Sequence, residues 1–216
     1  MTAASMATIR ITSICKRCCG TAGLAGIVGV AALWAVSSVA GNAGLAGSTG
    51  VKTAPLTLRH PHVVVLKSKR KLHLFEGDAL VRTYPISLGS GPVGNKFRAG
   101  DGRTPEGVFR ICAKNGASQH RRFLGINYPN TEVARRGFEL GLLTRGEARA
   151  VWQADRNEQC PPWSTALGGG IGLHGGGLRT LDGQADWTAG CIALSDAHIE
   201  ELFEVLRVGD RIEILP

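Results

Sequence analysis

Glycine and proline follow one another so closely along this chain that only short regular elements fit between them. Its 216 residues include 30 Gly and 9 Pro, and both residue types interrupt helices and strands. The chain is 44% hydrophobic and only 19% charged, so it has enough apolar surface to build a core. No glycine period, heptad pattern or longer repeat occurs, which excludes collagen, coiled-coil and solenoid structures. One compact domain with an appendage remains.

The appendage is the amino-terminal segment, residues 1–40. It has a basic start without acidic residues, then an apolar run over residues 21–36, then small residues that end at Ala40. This order is typical of a secretory signal peptide that is cut after Ala40. Because the apolar stretch at residues 20–40 is also long enough to cross a bilayer, an uncleaved signal anchor is the alternative.

Both alternatives predict export to the periplasm or cell envelope, with inner-membrane contact only through an uncleaved segment. Residues 41–60, rich in Gly, Ala, Ser and Thr, are predicted to form a flexible linker, and residues 61–216 the folded domain. Without the three basic residues of the leader, the formal net charge falls from +8 to +5. This mild charge, with no basic stripe interleaved with aromatic residues, predicts no nucleic-acid partner.

Three cysteines belong to the exported domain. They are Cys112, Cys160 and Cys191. In an oxidising compartment two of them can pair, and the third is either buried and inert or free for chemistry. If a bridge forms, Cys112 with Cys160 is favoured, because Cys191 lies at a glycine-flanked junction between a loop and a strand.

The pattern of apolar and turn residues predicts a mainly β fold, a sandwich or barrel with a few short helices. No regular alternation of strands and helices supports a Rossmann fold. Strands are predicted at residues 62–67, 71–75, 79–88, 108–112, 122–127, 171–174, 191–194 and 211–215, and helices at residues 131–139 and 145–155 and from Ser195 to Gly209.

Two segments place a reactive side chain beside glycines at the end of a short apolar strand. They read IGLHGGG at residues 171–177 and DWTAGCIAL at residues 186–194. A histidine can take the proton of a thiol, the thiolate can attack a carbonyl, and backbone N–H groups can hold the oxyanion. Gly190, without a side chain, is expected to let a substrate carbonyl approach the backbone. Taken alone, such a cysteine is more often a buried small hydrophobe and such a histidine structural.

The two segments together resemble the L,D-transpeptidase catalytic family, also called YkuD-like. Its hallmark is a His-Gly pair followed by a Ser/Thr-His-Gly-Cys box. Here His174-Gly175 precedes Thr188-Ala189-Gly190-Cys191, with 16 residues between His174 and Cys191. The resemblance also includes the opening hairpin and the TPEG turn at residues 104–107, and so covers residues 62–215. It implies a β-sandwich or barrel of mixed sheets.

The resemblance implies a role for each residue of the boxes. Cys191 is the nucleophile and His174 its base, oriented by a main-chain carbonyl, that of Gly175. Thr188 and the amides of Gly190 and Cys191 shape the site. Trp187 is a weaker candidate for the cleft wall, and Arg179 a weaker candidate for binding substrate. All other histidines, His120 among them, are expected to be structural or surface residues.

The resemblance also implies the reaction. The acyl donor is a peptidoglycan tetrapeptide stem, which loses its terminal D-Ala to form an acyl-enzyme. A second stem or a lipoprotein then supplies an amine that takes the acyl group. No metal or organic cofactor is implied, and no CxxC or HExxH spacing indicates a zinc site.

Two departures from the family pattern leave the reaction outcome open. Ala189 stands where the box has His, and Ala193 stands where an Arg is common. The DWTAGCIAL form resembles a proteobacterial subgroup that includes hydrolases of lipoprotein-to-peptidoglycan links. Arg179 is a candidate replacement for the missing cation. The alternatives are therefore a transpeptidase, an L,D-carboxypeptidase or an amidase.

A protein of another class, a wall-binding domain without catalytic activity, is a further alternative. A thiol reagent distinguishes it from an enzyme, because pairing with a histidine lowers a thiol pKa and predicts rapid alkylation of Cys191 near neutral pH. A buried structural thiol would react slowly.

Overall fold

The structure is a computed structural model that describes residues 56–177 and 186–216. The predicted leader, nearly all of the predicted linker and Arg179 lie outside these ranges. Within the two described ranges, no helix is both long enough and apolar enough to cross a membrane.

Eight strands form one mixed sheet in the order β3-β2-β1-β8-β4-β5-β6-β7. Most neighbours are antiparallel, whereas β1 with β8 and β6 with β7 are parallel. The strands are β1 (Pro61–Leu66), β2 (Lys71–Glu76), β3 (Ala79–Pro85), β4 (Gly107–Ser118), β5 (Arg121–Ile126), β6 (Gly172–His174), β7 (Ile192–Ala193) and β8 (Arg211–Leu215).

The sheet curls until its two ends meet. Ser87, just after β3, exchanges two backbone hydrogen bonds of 2.9 Å with Ala193 of β7. Gly89 forms a second bridge, with Thr188. The predicted sandwich or barrel of mixed sheets is confirmed, and this closure holds the DWTAGCIAL segment against the segment that follows β3.

Among the described residues there are three short helices, and their starts are the predicted ones; the third packs on β5, and the first two pack on each other. Asn130, Thr144 and Ser195 each accept a backbone hydrogen bond at a helix start, as N-cap residues do. Ile199 and Leu202 of the third helix are buried in the main core beside the sheet. The helices are α1 (Thr131–Glu139), α2 (Arg145–Arg156) and α3 (Asp196–Val205).

Three predicted boundaries are wrong. β3 ends at Pro85 instead of residue 88, and only a bridge at Ser87 continues it. β4 continues to Ser118, since pairing with β5 supplies hydrogen bonds to a polar stretch that no apolar pattern marks. α3 ends at Val205, because Asp210 accepts a hydrogen bond from the Arg207 amide and closes the turn in which Gly209 lies.

The disulfide between Cys112 and Cys160 is confirmed. It joins β4 to the segment after α2 across a sequence separation of 48 residues. Arg110 of β4 and Asp155 of α2 form an ion pair that also connects β4 with this region. Cys191 is the one free cysteine among the described residues.

Replacing both Cys112 and Cys160 with alanine is expected to lower the free energy of unfolding by about 2–4 kcal/mol, because the open chain gains conformational freedom when unfolded. Urea denaturation of the variant and of the unmodified protein measures the difference. Cys191→Ala, which keeps the bridge, is the control and should lose stability under reducing conditions as the unmodified protein does. Equal stability of the double variant and the oxidised protein would contradict the prediction.

Candidate active site

His174 is the last residue of β6 and is 5% exposed. Its ring Nδ1 lies 2.6 Å from the carbonyl oxygen of Gly175. A carbonyl only accepts, so in the neutral ring Nδ1 carries the hydrogen and Nε2 keeps the lone pair. The contact implied by the resemblance is confirmed, and it leaves Nε2 as the basic atom.

Cys191 lies directly before β7 and is partly exposed. The parallel register of β6 and β7 places His174 opposite Ala193. Side chains two residues apart on a strand point to the same face, so Cys191 projects from the same face as His174. The thiol donates to the Gly170 carbonyl oxygen, 3.5 Å from the sulfur.

A tight turn leads into Cys191, and Thr188 organises it. The Thr188 hydroxyl accepts a 3.1 Å hydrogen bond from the Gly190 amide and donates a 2.7 Å bond to the Cys191 carbonyl. Of the two amides expected to shape the site, that of Gly190 therefore donates within the turn. Among the residues that the structure describes, the Cys191 amide has no acceptor, so this N–H is available to an oxyanion.

The backbone around position 190 itself requires glycine. Gly190 has a φ of +132°, and a Cβ there would lie 2.6 Å from the Arg103 carbonyl oxygen. Side chains rarely adopt this backbone conformation, and the carbonyl belongs to the backbone and cannot easily move. Glycine is therefore required here because two backbone segments pack closely together, whatever the approach of a substrate carbonyl.

A second imidazole, that of His120, completes the site and was not predicted. Its ring centroid lies 4.8 Å from that of His174. Trp187 contacts both rings. Its ring centroid lies 5.7 Å from that of His174 and 6.0 Å from that of His120. The Gly175 amide donates to the His120 carbonyl oxygen, which holds the turn between β4 and β5 beside β6. No local spacing in the sequence connects residue 120 with residue 174.

Asp186 positions the start of the segment that carries the cysteine. Its carboxylate accepts hydrogen bonds from the Arg70 guanidinium and from the Leu88 amide. Asp186 therefore has a structural role. This anchor holds Trp187 at the wall of the site.

Burial is the main influence on the charge of both reactive groups. It lowers the pKa of His174, an effect that the Gly175 carbonyl opposes and the nearby His120 ring reinforces. It raises the pKa of the Cys191 thiol, against a hydrogen bond from the Gly172 backbone and the charge of Lys96. At rest the pair is therefore a neutral thiol and a neutral imidazole. The expected lowering of the thiol pKa is wrong, because burial outweighs the favourable contacts.

Alkylation of Cys191 by iodoacetamide is accordingly expected to be slow at neutral pH. Its rate should rise with pH through a thiol pKa above the ordinary value, since the thiolate is the reacting form. Rate constants from intact mass spectrometry across a pH series give the profile. The Cys191→Ala variant is the control for reagent uptake elsewhere. A rate that is already constant below neutral pH would contradict the raised pKa.

Within the described ranges, no group of three or more His, Cys, Asp or Glu side chains is arranged to hold a metal ion. The site thus consists of a free thiol, a neutral imidazole with a fixed tautomer and a free backbone amide, on a closed mixed β-sheet.

These features define a class of β proteins with a cysteine and a histidine on one face of the sheet. The family model of the YkuD L,D-transpeptidase catalytic domain matches residues 60–214. The chain belongs to this family, as the sequence motifs predict.

The chain is similar at low identity to several solved structures. The L,D-transpeptidase of Xylanimonas cellulosilytica is 18% identical, with a TM-score of 0.43 over 74% of this chain and 63% of that one. The L,D-transpeptidase of Mycobacterium smegmatis is 14% identical, with a TM-score of 0.44 over 73% and 59%. The helical cell shape determining protein Pgp2 of Campylobacter jejuni is 20% identical, with a TM-score of 0.47 over 72% and 47%.

The chain thus spans about half to two thirds of the length of these structures. None of the curated proteins matches it.

Proposed function

We propose that this protein is an exported L,D-transpeptidase that uses Cys191 as nucleophile and His174 as base on peptidoglycan stem peptides. Membership of the YkuD family supports an enzyme of the cell wall. The observation that carries the proposal is the register of β6 and β7, which puts both side chains on one face of the sheet. The bond from Nδ1 to the Gly175 carbonyl leaves Nε2 free to take a proton.

In the first step the thiol proton of Cys191 moves to His174 Nε2 as the sulfur attacks the carbonyl carbon before the terminal D-Ala. The new C–S bond places negative charge on the carbonyl oxygen, which the Cys191 amide can hold. When the tetrahedral intermediate collapses, the C–N bond breaks, and the amine of D-Ala leaves with the proton from Nε2. A thioester between the stem and Cys191 remains.

In the second step an amine attacks the thioester, gives a proton to the same Nε2 and forms an amide. The thiolate leaves and regains the proton. With an amine from a second stem the product is a wall crosslink, and with a lipoprotein amine it is an attached lipoprotein. Water in place of the amine gives the hydrolase alternatives. The enzyme is an L,D-carboxypeptidase when D-Ala is the leaving group of the first step, and an amidase when the C–N bond broken in the first step joins the stem to a lipoprotein amine, which then leaves with the proton from Nε2.

Export is part of the proposal. The leader pattern at residues 1–40 supports it, and so does the disulfide between Cys112 and Cys160, because disulfides persist in oxidising compartments. Retention at the inner membrane depends on whether the leader is cut, which amino-terminal sequencing of the protein from cells determines.

Incubating the purified protein with disaccharide-tetrapeptides, with and without an amine acceptor, tests the reaction. Crosslinked dimers in the mass spectrum identify a transpeptidase, and tripeptides without acceptor identify a carboxypeptidase. Release of a lipoprotein peptide from a linked muropeptide identifies an amidase. Unchanged material in every assay, with no carbapenem adduct on the intact protein, would overturn the enzyme proposal in favour of a wall-binding domain.

A further inference from the structure

A cavity of about 330 Å³ lies between the loop before β4 and helix α1. Its apolar part is formed by Val133, Leu142 and Leu167. Three basic side chains also line it, those of Lys96, Arg103 and Arg136. A cavity with an apolar floor and a basic rim suits an anionic ligand that also has apolar parts.

A buried lysine holds in place the loop that forms one wall of this cavity. The ammonium group of the buried Lys67 donates to the carbonyl oxygens of Gly94 and Thr104 at 2.6 Å and 2.9 Å. It also pairs with Glu106 at 2.8 Å. The cavity is therefore formed before any ligand binds.

The two arginines are the cations left available for a ligand. Among the described residues, neither Arg103 nor Arg136 has a carboxylate within ion-pair distance. The Arg103 guanidinium donates only to the Asn95 carbonyl oxygen, at 3.3 Å. The two acidic side chains that line the cavity already form ion pairs, Glu106 with Lys67 and Glu132 with Arg135.

The wall of this cavity contacts both backbone segments that flank the reactive sulfur. A Cβ at Gly168 would lie 3.3 Å from the Lys96 Cε atom, and Gly168 is two residues before the carbonyl that accepts the Cys191 thiol. The Arg103 carbonyl packs on Gly190, the residue directly before Cys191. The cavity therefore lies on the sulfur side of the site.

A second cavity, of about 530 Å³, lies on the imidazole side. His120 and Gly176 line it, together with two acidic side chains, Asp196 and Glu200, and two basic ones, Arg121 and Arg122. Arg121 pairs with Glu200, and the acidic and basic side chains are equal in number, so this cavity lacks the excess of basic side chains that the first cavity has.

We propose that the 330 Å³ cavity binds the acyl donor, and that Arg103 and Arg136 select donors that carry free carboxylates. The inference rests on the proposed function and adds the residues that choose its donor. The position where family members commonly carry an arginine is Ala193, which is fully buried and paired with Ser87. Arg103 in the loop and Arg136 in α1 supply the positive charge that Ala193 of β7 does not.

The test measures donor binding without chemistry, by titration calorimetry on the full chain carrying Cys191→Ala. The probes are a stem tetrapeptide with free carboxylates and the same peptide with its carboxylates amidated. Adding Arg103→Gln and Arg136→Gln together is expected to weaken binding of the free-carboxylate peptide by about tenfold or more, and of the amidated peptide very little. Arg103→Lys with Arg136→Lys should retain most of the affinity.

The matched control is Arg149→Gln with Arg156→Gln on α2, which removes the same charge from exposed positions. The inference would be overturned if the Arg103→Gln, Arg136→Gln variant bound both peptides equally more weakly, or if the control variant weakened binding as much. Unchanged binding of the free-carboxylate peptide to the Arg103→Gln, Arg136→Gln variant would also overturn it. Thioester formation by the chain with its cysteine intact is measured separately. Its absence would end the proposed function, whereas charge-dependent binding to the Cys191→Ala protein would still assign the cavity to an anionic peptide.

Discussion

Cys191→Ala is expected to abolish thioester formation with a stem peptide while the fold persists. The sulfur is the attacking atom, and no other free thiol lies among the described residues. Loss of a catalytic nucleophile typically costs about 10⁶-fold in turnover, which is below detection here. Intact mass spectrometry after incubation with the tetrapeptide or a carbapenem shows the adduct directly.

The fold should survive this change because the side chain of Cys191 contributes little to the structure around it. Its thiol donates one long hydrogen bond, of 3.5 Å, and accepts one from the Gly172 backbone. Thr188 holds the turn through the Cys191 carbonyl, which alanine keeps. A denaturation midpoint close to that of the unmodified protein is expected. Cys191→Ser, which keeps the size and a donor, is the companion variant and should also fail to form an adduct. Tripeptide or dimer production at the normal rate by Cys191→Ala would refute the mechanism.

Local signals account for much of the fold. Alternating β-branched residues mark β1 and β2, and the capping residues Asn130, Thr144 and Ser195 mark the starts of the helices. These signals act between residues that are close in the sequence. They can therefore be found before any tertiary contact is known.

A contact between residues that are far apart in the sequence explains why His120 was not predicted as part of the site. His120 reaches His174 only because the turn between β4 and β5 bonds to Gly175. This contact depends on the packing of separate segments, which residue spacing does not encode. The bond from the Gly190 amide to the Thr188 hydroxyl is, in contrast, local, since the two residues are two positions apart.

The charge state of Cys191 and His174 also depends on tertiary packing. Pairing with an imidazole stabilises a thiolate, and the sequence pattern predicts only that effect. The cost of removing a thiolate from water depends on how deeply the sheet buries the sulfur, and in this fold that cost is larger. The histidine must therefore act during the attack, as a general base, and not merely by stabilising a preformed thiolate.

His174→Gln is expected to slow acylation by about 10²–10⁴-fold, the usual contribution of a general base. In the unmodified protein the rate should rise with pH as the imidazolium loses its proton, at a pKa below the ordinary histidine value because the ring is buried. Without the imidazole, only the thiolate form reacts. The profile of the variant should then follow the raised thiol pKa and shift to higher pH.

Single-turnover acylation of both proteins across a pH series measures the rate and the profile together. His60→Gln, at an exposed position, is the matched control and should change neither. A merely structural role for His174 would lower the amount of active protein at every pH and leave the midpoint of the profile in place. An unshifted profile in His174→Gln would therefore assign the proton transfer to another group, and His120, whose ring centroid is 4.8 Å away, is the one to test next.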